Sequence, residues 1–357
     1  AREMLLGGTG WDALGAPAEV RTDLVGVVCP LTGRYAVLGN AFYEAALMAL
    51  AATNEELGTT LELVVADSGG DPVTAALAGR RLAGPDGCVG LLGSLMSGPT
   101  AALAVVADQY GVSLVSPTAT NDRIWELGEG IFQTNLTGLF EVRLLARLAT
   151  TVMLKRSFGL LYPETPEARR HAEVFRQEVE SHGGAVVVEA PFPSQGTDFR
   201  DPIRTVRQAR PEVIFTPSSV DQMIMLGPQL DFYRAGSLVM GLSNWNNPKL
   251  AERSKTVLER ALFPDDQALL PPEWTGEFQA RWDAEAYPPE ASALALKAYQ
   301  ATRLLLDTLG RSGAATRAEL ADALRLRMAD QDVEATGPDS FARVVRMFRD
   351  GKIVPFP

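Results

Sequence analysis

Hydrophobic and polar positions alternate along this chain in a repeating rhythm. Leu24–Val28 is an unbroken apolar run, the pattern of a strand covered on both faces. The polar loop Pro30–Gly39 follows. A helical pattern then starts near Asn40, a suitable cap, and runs through Ala45, Met48, Ala49 and Ala52. Leu61–Ala66 predicts a second strand, and Asp67–Pro72 a loop opening a helix to about Ala83. In Cys88–Thr120 the rhythm is clearest. Val89, Leu91 and Leu92 form an apolar run that ends at Gly93 and Ser94. Pro99 suits a first helical turn, with Ser97 or Gly98 as its cap. Leu103, Val106 and Ala107 then fall at helical spacing, Gly111 stops the helix, and Val112, Leu114 and Val115 predict the next strand. Ile131–Asn135 reads as a short strand leaving this unit.

The pattern then restarts. A helix over about Gly138–Met153 precedes strand Phe158–Tyr162, helix Pro166–His182 and strand Ala185–Glu189. Helix Thr197–Ala209, strand Val213–Thr216, helix Val220–Tyr233 and strand Ser237–Gly241 follow. The tail predicts helices over Glu273–Glu285, Glu290–Leu309 and Ala315–Leu326, then a hairpin around Asp350-Gly351. Alternating strands and helices predict α/β units with parallel sheets. At 357 residues the chain is long for one core, so two domains are expected.

Parallel sheets bind ligands beyond the carboxyl ends of their strands. Here two neighbouring strands end in Ser94–Ser97 and in Ser116–Thr120. A helix N-terminus between them offers free amides and a positive dipole end to an anion. The hydroxyls of Ser97, Thr118 and Thr120 complete a polar cradle, or they are ordinary cap and loop residues; the local sequence leaves both readings open.

Composition narrows the function classes. Hydrophobic residues are 46% and charged residues 22% of the chain, as in ordinary globular proteins. A net charge of −11 argues against nucleic acid, whose phosphates need a basic surface. No run reaches the roughly 18 apolar residues of a membrane span. The leader AREMLLGGTGWDALGAPAEVRTD is too short in its apolar part, and too broken by glycine, for a signal peptide. Either targeting residues have been removed or the chain is part of a longer one. Cys29 ends its strand and Cys88 begins its own, at opposite ends of a parallel sheet, which excludes a disulfide.

Catalytic patterns are missing. His171 and His182 share one charged helix and read as surface residues, so a zinc site or a Ser-His-Asp triad is not expected. No nucleophile elbow or P-loop occurs. Asp67 and Asp71 fit loop capping better than a cation site. The expectation is a non-enzyme with no cofactor and no metal.

These segments resemble the type I periplasmic binding proteins, in the branch of the branched-chain amino-acid receptors. The resemblance is carried by VGVVCPLTGRYAVLGN, LELVVADSGGDPVTA, GSLMSGPTAALAVVADQYGVSLVSPTATND, FQTN, GRSG, TGPDSFARV and GKIVP, in this order from Asp23 to Pro357. It implies a two-lobed Venus-flytrap fold with three crossover strands and ligand capture by hinge closure. The crossovers fall near Gln133–Asn135, Leu262–Asp265 and Glu334–Pro338. Residues 1–21 would be a leader, 22–134 plus 265–335 the first lobe, and 135–264 plus 336–357 the second. It also implies a small polar ligand (amino-acid-like, amide or carboxylate), an ABC-type permease as partner, an export signal and a periplasmic or cell-envelope address.

The resemblance assigns site residues as well. Ser97, Thr118 and Thr120 would hold the ligand's carboxylate and ammonium, and the loop PLTGRY adds Tyr35. In the second lobe the family's aromatic positions fall at Glu167 and Ser219, and its ammonium-pairing acid falls at Ser243. The anion side of the pocket is thus kept and the cation side is not, unless Asp221 or Glu167 substitutes. The stretch LSNWNNPKL with GKIVPFP is also similar to a sub-branch of penicillin-binding-protein activators, envelope lipoproteins that act as interaction modules. That similarity implies a membrane tether through a removed lipoprotein signal. In this stretch Trp245 either caps the cleft or packs beneath it.

Overall fold

A computed structural model describes residues 19–253, 258–265, 271–283, 286–329 and 344–357. The first strands and helices are β1 (Arg21–Cys29), α1 (Ala36–Leu57), β2 (Glu62–Asp67), α2 (Pro72–Ala83), β3 (Cys88–Gly93), α3 (Ser97–Gln109), β4 (Ser113–Ser116) and β5 (Ile131–Gln133). Next come α4 (Gly138–Arg147), β6 (Ser157–Pro163), α5 (Pro166–Ser181), β7 (Ala185–Phe192), α6 (Arg200–Ala209) and β8 (Val213–Phe215). Then follow α7 (Val220–Phe232), β9 (Leu238–Met240), α8 (Pro248–Arg253) and β10 (Leu262–Pro264). The tail adds α9 (Pro272–Arg281), α10 (Pro289–Ser312), α11 (Arg317–Ala329), β11 (Val345–Arg349) and β12 (Lys352–Pro355). By internal packing the chain divides into two compact units, Ala1–Asn135 with Leu270–Asp332, and Leu136–Leu269 with Val333–Pro357.

The first unit is built on a five-stranded sheet of order β2-β1-β3-β4-β5. All its pairs are parallel, with Val27 opposite Leu92, and Leu92 opposite Val115. Strand burial explains the continuous apolar runs: every residue of β3 and β4 is buried. Cys29 pairs in register with Asp67, whereas Cys88 pairs with Arg21 at the far end, and both thiols are free and buried. Gly33–Leu57 is long and apolar enough to cross a membrane by length and composition. Its residues Ala41, Phe42, Ala45, Ala46 and Ala49 are instead fully buried, and α10 packs along it. A turn at Gly33–Tyr35 starts this helix earlier than the Asn40 cap expected from sequence; Asn40 lies inside it and donates from its amide to Ala36 O. On the other side, Arg317 of α11 reaches three carbonyls, those of Ala83, Cys88 and Tyr110.

The second unit carries a seven-stranded sheet of order β12-β11-β10-β9-β8-β6-β7. β6 to β10 run parallel, and β11 and β12 add antiparallel. The expected hairpin is present: Arg349 pairs with Lys352, and Asp350 and Gly351 both take positive φ, 52° and 73°. Two left-handed central residues make the turn whose twist matches the flanking strands.

His171 departs from its sequence reading. It lies on the buried face of α5 with Ala168, Ala172, Phe175 and Val179 and is 6% exposed. Gly138 makes room for the imidazole; a Cβ there would sit 2.5 Å from its Nε2. The leader up to residue 18 and the third expected crossover, 334–338, lie outside the described residues.

Candidate functional site

In the first unit, the parallel strands deliver the loops after β1, β2, β3 and β4 to one edge of the sheet. The Asp67 carboxylate binds two of these loops together. It accepts from Leu31 N at 2.8 Å, from Thr32 Oγ1 at 2.5 Å and from Gly69 N at 2.8 Å. Burial pushes its pKa up, but the Thr32 hydroxyl and the Gly69, Leu31 and Thr32 amides outweigh it and hold the carboxyl below its ordinary value. Asp71 caps α2 through Thr74 N at 2.8 Å, a bond that lowers its pKa. Both acids are therefore occupied in loop and cap geometry. No group of three or more potential metal ligands occurs among the described residues.

The expected cradle is only partly free. Thr118 Oγ1 donates to Leu95 O at 2.8 Å, and Ser97 Oγ accepts from Asn121 N at 3.1 Å. These bonds fasten the loop after β4 to the loop after β3. The Ser97 hydroxyl keeps its own proton to donate, and Thr118 keeps its lone pairs to accept. Ser97 is the first residue of α3 rather than its cap; Met96 takes the cap position and makes no side-chain bond. The leading amides of α3 are thus left to other acceptors. Thr120 is exposed at the same edge. Tyr35 and Met96 meet over Gly70, where a Cβ would lie 3.0 Å from the tyrosine ring and 3.1 Å from Met96 Cε. Arg34 lies 4.4 Å from the centre of the Tyr35 ring. Two further polar atoms, Ser94 Oγ and Ser116 Oγ, are buried at the ends of β3 and β4 without a hydrogen-bond partner in the described structure. The edge therefore combines donors suited to an anion with an aromatic and thioether surface.

In the second unit, the loops after β8 and β9 hold Ser219 and Ser243, and Glu167 lies at the start of α5, just after β6. Ser219 caps α7: its Oγ accepts from Gln222 N, and Gln222 Oε1 accepts from Ser219 N. This reciprocal pair is what S-x-x-Q produces at a helix start; it occupies the Ser219 amide and one lone pair of its hydroxyl, which keeps its proton. Glu167 is exposed in the first turn of α5, beside the Thr165 cap, where an acid complements the helix dipole. Trp245 is fully buried. Its Nε1 donates to Ser218 O at 3.0 Å, and its ring lies under Gly241, where a Cβ would come within 2.2 Å. Of the two readings of Trp245, the packed one holds.

The second unit also corrects the missing acid. Ser243 donates from its amide to Glu141 Oε2 at 2.7 Å and from its Oγ to Oε1 at 2.5 Å. Glu141 belongs to α4 and is 3% exposed. A carboxylate therefore stands at the Ser243 position after all, supplied by a helix 102 residues earlier.

A sequence model of the periplasmic binding proteins matches residues 24–349. The chain belongs to that family. Its curated relatives include a Leu/Ile/Val-binding protein homolog of Brucella melitensis, 25% identical over 304 residues, covering 84% of this chain and 81% of the relative. A putative branched-chain amino acid ABC transporter protein from Rhodospirillum rubrum superposes with a TM-score of 0.76 at 24% identity, covering 95% of this chain and all of the other. A solute binding protein of R. palustris in complex with 4-hydroxybenzoate superposes at 0.59 with 18% identity, covering 93% of this chain and 95% of the other. These relatives are binding proteins and not enzymes, and the fold of this periplasmic binding protein is theirs: α/β, with helices flanking parallel strands.

Sequence reasoning missed two features of this periplasmic binding protein. Glu141 sits in a helical pattern and looks like any surface acid; only the burial of its neighbours Val142, Leu144 and Leu145 hints that its turn faces inward. Trp125, in the loop after β4, is 58% exposed, an unusual cost for so large an apolar side chain. The residues ATNDRIWELGEG around it carried no pattern to flag it.

Proposed function

We propose that this protein is a cell-envelope solute receptor. It captures a small carboxylate with an apolar body by hinge closure and delivers it to an ABC-type permease. The observation that carries this reading is the uncapped start of α3, where Ser97 keeps a proton to donate, beside the Tyr35–Met96 surface. In this reading the α3 amides and Ser97 take the carboxylate, with Thr120 at its rim. Thr118 accepts from a ligand N–H, and Tyr35 and Met96 pack the apolar body. Glu141, through Ser243, places negative charge on the second unit, which favours ligands that also carry an ammonium. The ligands of the relatives' names, Leu/Ile/Val and 4-hydroxybenzoate, share a carboxylate and an apolar body. The family supports a periplasmic address.

Calorimetry and thermal shift with L-leucine, L-valine, 4-hydroxybenzoate and leucinamide test the proposal. The acids are expected to raise Tm and leucinamide, which lacks the carboxylate, is not; a ligand at a hundred times its Kd adds about 2.7 kcal/mol. Ser97→Ala is expected to weaken acid binding about tenfold, as loss of a charge-assisted hydrogen bond does. Equal response to leucine and leucinamide, or none to any acid, sinks the reading.

A further inference from the structure

At the other edge of the second unit's sheet, before β8 and β9, a concave pocket of about 930 Å³ opens between the ends of α6 and α7. Its wall carries four arginines: Arg204, Arg207, Arg210 and Arg234. All four are exposed, in a chain whose net charge is −11. Among the described residues none of the four has a carboxylate within ion-pair distance. Of the acids close by in sequence, Asp198 pairs with Arg200, and Glu212 is held by Lys155 and the amides of Arg156 and Ser157, whereas Asp201 and Asp231 are exposed.

Two ordinary explanations fall short. Helix C-termini attract cations, but each end carries only about half a negative charge. Two ends account for about one of the four positive charges. Backbone geometry also works against chance. Arg210 and Arg234 take φ of 51° and 55°, the left-handed conformation that glycine adopts at least cost. Both positions keep a long cation where a smaller residue fits better. Ser237 fixes the floor by donating from Oγ to Pro211 O at 2.6 Å, which joins the two loops that hold these arginines. Outside the lining, Phe232 is 77% exposed and meets Tyr233 edge-on at 5.0 Å, and the lining residue Arg204 lies 5.8 Å from the Tyr233 ring.

We propose that this pocket is a second binding site, for phosphate groups, on a molecule with an apolar part that Phe232 contacts. Guanidinium forks match the oxygens of phosphate two at a time, and several forks around one concavity suit a multiply charged anion. The phosphate comes either from a soluble organic phosphate or from the headgroups of an anionic membrane. The site stands apart from the solute edge and does not rest on that reading.

The test uses the full chain in two arms at fixed ionic strength. Calorimetry with pyrophosphate and with an aryl phosphate measures the soluble source. Co-sedimentation with phosphatidylglycerol vesicles, against phosphatidylcholine vesicles, measures the membrane source. Saturable binding is expected in one arm, and that arm names the source. Arg207→Ala and Arg234→Gly are each expected to weaken it about tenfold, the loss of one charge-assisted contact. Arg234→Gly suits the left-handed backbone, so its melting temperature is expected to hold or rise, which separates lost binding from lost folding. No saturable binding in either arm overturns the proposal. So does binding that both variants keep, or binding that sulfate and chloride displace equally well.

Discussion

Glu141 and Ser243 form one hydrogen-bonded unit: both oxygens of the buried carboxylate accept from the same serine, at 2.5 Å from its hydroxyl and 2.7 Å from its amide. Glu141→Gln removes the charge: its one oxygen keeps the Ser243 amide bond, while its NH2 turns the Ser243 hydroxyl from donor to acceptor and leaves the hydroxyl proton unmatched. Leaving a buried donor unmatched costs about 1–3 kcal/mol, so urea unfolding should show a loss in that range. Ser243→Ala removes the hydroxyl and keeps the amide bond, so its cost should be smaller, about 1 kcal/mol. Equal costs for the two would show that the carboxylate's charge adds nothing beyond the hydroxyl bond. In the proposed receptor, Glu141→Gln should also weaken leucine binding while leaving 4-hydroxybenzoate, which has no ammonium, unchanged.

Asp67 makes the first unit's edge sensitive to acid. Its carboxyl has an ordinary value of 3.8 and lies lower in the folded chain, because four donors hold the charged form against the opposing cost of burial. The unfolded chain therefore binds this proton more tightly. The stabilisation is complete above about pH 4 and is lost as pH falls through the folded value. Asp67→Asn should lower stability at pH 7 by about 1–2 kcal/mol, since it keeps an acceptor but loses the charge. The gap between variant and parent should close as the pH drops below 4. A gap constant from pH 7 to pH 3 would contradict the assignment.

The strands of both units were legible because burial on both faces writes continuous apolar runs, as in Leu24–Val28 and in β3. The Asp350-Gly351 turn was legible because its geometry demands those residue types. Helix starts were harder: α1 begins in a turn over Gly33–Tyr35 that carries no capping side chain, so Asn40 drew the boundary instead. The hydroxyls of Ser97 and Thr118 stood out because polar residues in loops at strand ends are conspicuous, and the structure brings both to one sheet edge. The cap role of Ser219 was not legible, because a capping serine and a ligand serine look alike until Gln222 is seen to bond back to it. Glu141 and His171 were invisible for a common reason. Whether a polar residue on an amphipathic helix faces in or out depends on distant partners, here Ser243 and Gly138, and not on its neighbours in sequence.

Both cysteines should be inert in the folded protein. Burial is the largest cause that pushes each thiol up to about 12, with nearby Asp67 adding to it at Cys29 and Asp86 at Cys88. At pH 8 only on the order of one molecule in ten thousand then carries a given thiolate. A disulfide-exchange reagent should label neither cysteine at pH 8 until the chain is unfolded in guanidinium, and then both. Prompt labelling of either thiol in the native protein would show that its strand opens locally.

The strongest stability effect should come from Arg303, which is 1% exposed between α1 and α10. It pairs with Asp307 on its own helix at 3.2 Å, with Glu277 at 2.8 Å and with Glu56. Asp307, also 1% exposed, accepts in addition from Thr53 Oγ1 at 2.7 Å across the helix pair. Arg303→Met fills similar volume but strands the Asp307 charge with one neutral donor. Breaking a buried pair in this way costs about 3–5 kcal/mol, most of it from the charge left behind. Glu56 is 45% exposed, and Glu56→Gln should cost less than about 1 kcal/mol, as water competes for such a pair. Adding Asp307→Leu to Arg303→Met should recover part of the loss, because the stranded charge is then gone and only the Thr53 hydroxyl lacks its acceptor. Urea midpoints of the four chains decide the matter. If Arg303→Met matches Glu56→Gln, or the double variant is weaker than Arg303→Met alone, the ion pair with Asp307 is not what holds α10 against α1.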